Sequence, residues 1–131
     1  MTIYSLYKNS FIRTAVVLTL VLAILLAGFA PGYAAGTPYT SVVSVSKDVS
    51  VTITGYNFPV DQTFTVRMGA FGTLGVGGTV VGTKEPSSST TFTATYNIPA
   101  TLVGASKIAI RFDSPQGYYA YDWFVNSPQT A

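Results

Sequence analysis

The chain has 131 residues, 48% of them hydrophobic and 9% charged, with seven Lys and Arg against five Asp and Glu. It has no cysteine and no histidine, which excludes disulfide scaffolds, thiol nucleophiles, Cys/His zinc sites, imidazole general bases and His-held haem. Scattered carboxylates alone are a poor basis for an enzyme, so no catalysis and no cofactor is expected.

Residues 1–14 carry Lys8 and Arg13 and no acidic residue, and Ala15 to Ala30 is apolar apart from Thr19 and Gly28. Pro31-Gly32 ends any helix there, and Gly32-Tyr33-Ala34 puts small residues at the two positions a signal peptidase reads. The apolar run of 16 residues is shorter than the roughly 18 to 20 needed to cross about 30 Å of hydrocarbon. Residues 1–35 therefore read as a secretory signal helix cleaved after Ala34 or Ala35. An uncleaved anchor is the alternative, and only through it would the membrane be a partner. A lipoprotein is excluded, since there is no cysteine to acylate. The expected location is outside the cell, secreted or at its surface, with residues 36–131 as the mature domain.

In that domain Lys47, Arg67, Lys84, Lys107 and Arg111 balance Asp48, Asp61, Glu85, Asp113 and Asp122, a formal charge of zero. The basic footprint that a phosphate backbone requires is missing, so nucleic acid is not an expected partner. Anionic lipid is offered no polybasic patch either.

Period-2 alternation dominates from residue 49 onward. Val49, Val51 and Ile53 alternate with Ser50, Thr52 and Thr54; Phe64, Val66 and Met68 with Thr63, Thr65 and Arg67. The same pattern recurs over Thr91–Tyr96 and Ile108–Phe112, and Ser41–Ser46 and Val76–Thr83 are weaker strands. Such alternation is how a half-buried antiparallel strand is written. Turn residues separate the runs at 55–59, 85–88, 97–99 and 114–117. About seven short strands in a domain of this length predict a two-sheet antiparallel sandwich of the immunoglobulin-like kind.

Ser114-Pro115-Gln116-Gly117 reads as a type I turn. Closing the hairpin directly on it would set Phe112 opposite Tyr119, Ile110 opposite Tyr121 and Ile108 opposite Trp123. The expected core is then Val51, Ile53, Phe64, Val66, Phe92, Ile108, Ile110, Phe112, Tyr121 and Trp123. Arg111 and Asp122 become diagonal neighbours on the outer face, able to form an exposed ion pair.

Val51-Thr52-Ile53-Thr54-Gly55-Tyr56-Asn57-Phe58-Pro59, followed by Phe64-Thr65-Val66, resembles the V-T-I-x-G-x-N-F signature of bacterial immunoglobulin-like domains of the IPT/TIG kind. The resemblance covers residues 51–66 and implies an extracellular adhesion, spacer or assembly module without catalytic chemistry.

The glycines from Gly69 to Gly82 lack the Lys-Ser/Thr ending and following helix of a phosphate loop, so hairpin or bulge roles are expected. Among the carboxylates, only Asp113 and Asp122 are expected near each other, and no cleft is evident for a glycosidase pair at about 5 to 10 Å. The acidic residues are too isolated for a loop calcium site, which leaves a carboxylate with backbone carbonyls at a sandwich end as the remaining metal reading.

The stretch Tyr118 to Phe124 is either a stacking platform for sugars or filling for the core. The expected register favours the core for Tyr119, Tyr121 and Trp123, leaving Tyr39, Tyr56, Tyr118 and Phe124, with Arg111 and Asp122, as the candidate interaction surface. The arm Gly36-Thr37-Pro38-Tyr39-Thr40 could complete the sheet of its own molecule or of a neighbour. The sequence thus predicts a non-enzymatic, exported structural or interaction domain whose partner is protein, including a second copy joined by strand addition. A carbohydrate-binding module using surface aromatics is the alternative.

Overall fold

A computed structural model describes residues 36–130. The expected signal segment, residues 1–35, lies outside the described residues.

The described chain is all-β, with strands β1 (Tyr39–Ser46), β2 (Ser50–Tyr56), β3 (Phe64–Ala70), β4 (Thr79–Lys84), β5 (Phe92–Asn97), β6 (Lys107–Asp113), β7 (Tyr119–Val125) and β8 (Gln129–Thr130). They form two antiparallel sheets of four strands, ordered β5-β2-β1-β8 and β4-β3-β6-β7. Val51, Ile53 and Tyr96 from the first sheet share one buried cluster with Phe64, Val66, Met68, Ile108, Ile110 and Phe112 from the second. That arrangement is consistent with a β-sandwich.

The alternation seen in sequence explains the inner faces. Val51, Ile53, Phe64, Val66, Ile108, Ile110 and Phe112 are all fully buried, and Phe92 packs half-buried against them. On the outer face of the first sheet the threonines pair across strands. Thr52 Oγ1 lies 2.8 Å from Thr95 Oγ1, and Thr54 Oγ1 lies 3.0 Å from Thr93 Oγ1. Val49 departs from the pattern and is exposed, because it belongs to the β1–β2 turn, where Asp48 adopts a left-handed backbone (φ 58).

The Gly-Tyr-Asn-Phe segment forms the hub of the core. Asn57 takes a left-handed conformation (φ 58) and turns Phe58 inward, where it is fully buried. The Phe58 ring meets Phe64, Phe92 and Phe112 edge-on at 4.8, 4.9 and 5.5 Å. Edge-to-face packing aligns the positive rim of one ring with the negative face of the next. Gly55 makes room: a Cβ there would lie 2.6 Å from the Phe92 ring and 2.9 Å from Phe58.

One pole is closed by a polar knot. Buried Asn126 donates to Asp48 Oδ1 at 2.6 Å and to the Ala105 carbonyl at 2.9 Å, while its own Oδ1 accepts the Asp48 N–H at 2.8 Å. The Gly104 N–H also donates to Asp48 Oδ1 at 2.8 Å. These two donors, Gly104 first and then Asn126, hold the Asp48 carboxyl below its ordinary pKa.

The β6–β7 hairpin differs from the expected register by one residue. The type I turn is present, with the Gly117 N–H donating to the Ser114 carbonyl at 3.1 Å. Gly117 then takes φ +92 and the Ser114 N–H closes onto the Tyr118 carbonyl at 2.9 Å. The loop is thus Pro115-Gln116-Gly117, a type I turn followed by a left-handed glycine. The extra residue pairs Phe112 with Ala120, Arg111 with Tyr121, Ala109 with Trp123 and Ile108 with Phe124. A one-residue slip turns every side chain of a strand to its other face. Tyr121 and Trp123, expected in the core, are therefore each 48% exposed, and Tyr119 is 52% exposed. Phe124, expected on the surface, is 2% exposed and belongs to the core.

Truncating Phe58 to Ala should cost about 3–5 kcal/mol, a large part of a small domain's stability, measured as a loss in denaturant midpoint. The Tyr96 hydroxyl is buried without a hydrogen-bond partner, and burial pushes its pKa up to about 12. The unfolded chain releases that proton near pH 10, before the folded chain does, so stability should fall as pH rises from 10 to 12. Tyr96→Phe should abolish this slope without loss of stability at pH 7, as read from urea melts across that range.

Candidate ring-bearing surface

β7 is the last strand of its sheet, paired only with β6. Its alternate residues Tyr119, Tyr121 and Trp123 stand on the outer face, at intervals set by two strand residues, about 6.6–6.8 Å. The Tyr119 and Tyr121 rings are nearly parallel, 7° apart with centroids at 6.4 Å. Trp123 is met by Phe71, whose ring lies edge-on at 5.1 Å. Phe71 comes from the glycine-rich loop 71–78, which folds back over the outer face. Gly75 in that loop packs so closely that a Cβ would lie 2.6 Å from Arg111 Cβ.

The neighbouring strand β6 supplies the polar lane beside the rings. Lys107, Arg111 and Asp113 face the same way, opposite Val125, Tyr121 and Tyr119. Lys107 Nζ lies 4.9 Å from the Phe71 centroid and 5.3 Å from that of Trp123. The Arg111 guanidinium lies 4.7 Å above the Tyr119 ring, and its Nε donates to Asp113 Oδ1 at 2.8 Å and Oδ2 at 3.0 Å. Cation–π contacts at such distances restrain both partners.

The sequence-derived candidates divide between places. Tyr39 and Tyr56 are cross-strand partners whose rings stack at 4.8 Å and 15°. Tyr118 lies at the hairpin end. With Gly36 to Tyr39, Gly117 and Tyr119 to Tyr121 it lines an open cleft of about 600 Å³ between the start of β1 and the start of β7. The row on β7 thus runs into this cleft at its Tyr119 end. Arg111 pairs with Asp113 and not with Asp122, because the register turns Asp122 to the other face of β7. The same turn separates Asp113 from Asp122, which had been expected on one face.

Asp122 is half-buried where the two sheets meet. Burial raises its pKa above the ordinary carboxylate value, offset in part by the Trp123 N–H, which donates to Oδ1 at 2.8 Å. The arm residues expected to serve one molecule or two pair within their own chain, Tyr39 with Tyr56 and Thr40 with Gly55. Among the described residues no three Asp or Glu side chains gather to hold a metal, and no helix is long and apolar enough to cross a membrane.

Sequence reasoning weighed the row as a stacking platform but assigned Tyr119, Tyr121 and Trp123 to the core, and it missed their neighbours Phe71 and Lys107. The legible signal for the row was Gly117, which follows a Pro-containing turn and so could supply the left-handed step of a three-residue hairpin. Nothing local to Phe71 announced that its loop folds over β6. No protein-family model and no curated protein matches this chain.

Asp122 should be more costly to the fold when charged than when neutral. Asp122→Asn keeps the acceptor for the Trp123 N–H and removes the charge, so the melting temperature should rise at pH 7. Below pH 3, where the carboxyl is protonated in folded and unfolded chains alike, the difference should vanish.

Proposed function

We propose that this chain is an exported, non-enzymatic interaction domain that docks a polysaccharide along the exposed rings of β7. The observation that carries the reading is the row Tyr119, Tyr121 and Trp123, each about half exposed on one strand of a domain that fully buries Phe58, Phe64 and Phe112. Aromatic rings present a negative π face, against which the weakly positive C–H face of a pyranose packs. Their hydroxyl and indole N–H groups, with Arg111 and Asp113 beside them, offer hydrogen bonds to sugar hydroxyls. The absence of histidine and cysteine argues for binding without catalysis.

An immunoglobulin-like topology is part of the proposal. β1, β2 and β5 share one sheet, and β3, β6 and β7 the other, which parallels the A-B-E and C-F-G division of those sandwiches. The IPT/TIG likeness over residues 51–66 agrees with this, since Gly55, Asn57 and Phe58 have separate structural duties in the turn between the sheets. Export rests on the composition of residues 1–35, and a location at the cell surface or beyond it follows.

Self-assembly by strand addition is the second reading. Its specific support is the β7 edge, which has no Pro or Lys to block a further strand.

Sedimentation with insoluble glycans tests the first reading. Tyr121→Ala and Trp123→Ala should each weaken binding about tenfold, the usual weight of a truncated aromatic anchor, with little change in melting temperature. Binding that survives both substitutions would overturn the reading. Concentration-dependent oligomers that persist in both variants, without glycan binding, would favour strand addition instead.

A further inference from the structure

The mature part is electrically neutral, but its charges are sorted by face. Three of its five cations, Arg67, Lys107 and Arg111, stand on the outer face of β3 and β6, the face that carries the rings. The only carboxylate that β3, β6 or β7 adds to that face is Asp113. Asp122 points the other way, Asp48 is tied to Gly104 and Asn126 at the pole, and Asp61 and Glu85 lie in loops.

This sorting has a cost. Arg67 and Arg111 are direct cross-strand partners, and like charges placed opposite each other on one sheet face destabilise it. Asp113 neutralises Arg111 at 2.8 Å. Arg67 donates to the Gly78 carbonyl at 3.3 Å, and Lys107 rests on the Phe71 and Trp123 rings. Neither cation has a carboxylate partner among the described residues. The face therefore holds two uncompensated positive charges beside a row of rings.

From this we infer that the polysaccharide is acidic, and that its acid is a uronate carboxylate. The inference rests on the ring-row reading above and adds the charge of the ligand to it. Sugar faces lie along the β7 lane, while carboxylates at intervals meet Lys107 on β6, one strand spacing of about 4.8 Å away, and Arg67 on β3, two spacings away. Asp113 already shows how this lane takes a carboxylate, with both oxygens within 3.0 Å of Arg111 Nε. Two uncompensated cations on this face suit occasional carboxylates better than the dense charge of a nucleic-acid backbone.

The test uses the full chain as cells process it, titrated with polygalacturonate and with the same polymer after carboxyl reduction. Polygalacturonate should bind about five- to tenfold more tightly, a difference of roughly 1 to 1.4 kcal/mol, and only its binding should weaken as salt is raised. In the double variant Arg67→Gln, Lys107→Gln, polygalacturonate should bind no better than the reduced polymer. The melting temperature confirms that the variant is folded, and the salt dependence of the unmodified chain tests the same point without any substitution. Equal, salt-insensitive affinity for the two polymers overturns the acidic assignment and leaves the ring row as a docking surface. Binding to neither polymer, nor to any insoluble glycan, overturns both. Tighter binding of a sulfated glycan or a single-stranded oligonucleotide overturns the uronate assignment.

Discussion

A single left-handed residue governs the outward face of this protein. Gly117, at φ +92, adds one residue to the loop after a type I turn and so decides which side of β7 looks at the core. L-residues with a Cβ take that backbone region at a cost, and glycine enters it freely. The consequence is that small Ala120 and large Phe124 face inward against Phe112 and Ile108, while three bulky rings face out. With Phe58 already central among the core rings, the interior is filled without help from Tyr119, Tyr121 or Trp123.

The ring face is held on a rigid base. Phe58 links both sheets through its contacts with Phe64, Phe92 and Phe112, and Gly55 permits the close approach. At the pole, Asp48 and Asn126 satisfy each other and the 104–105 backbone, so a buried amide carries no unpaired group. On the surface, Arg111 and Lys107 lie against Tyr119 and Trp123, and the returning loop sets Phe71 beside them. A surface restrained in this way loses less side-chain entropy when a ligand arrives.

Exposed aromatics on a neutral domain and a face that gathers cations belong to one pattern. Net charge describes solubility and long-range fields, and it says little about a single face. Here the balance of five against five conceals a surface on which Arg67 and Arg111 are opposed across two strands. The proposed acidic polysaccharide draws on both features, stacking on the rings and charge on the cations beside them.

Most of the architecture could be read in the amino-acid order, because burial on a strand has a period of two and each inner face is written locally. Val51 and Ile53, Phe64 and Val66, Ile108 to Phe112 needed no tertiary information, and neither did the turns between them. The ring row was different, since a hairpin's register depends on the backbone angle of one loop residue, and Ser-Pro-Gln-Gly permits closure after two loop residues or three. Tertiary structure chose three, sending Tyr121 and Trp123 outside and Phe124 inside. Phe71 and the Arg67–Arg111 opposition were equally hidden, as they arise between segments far apart in the chain. Alternation along β7 separates its two faces by sequence alone; which of them meets the core is settled only when β6 and β7 pair and the remaining volume is filled.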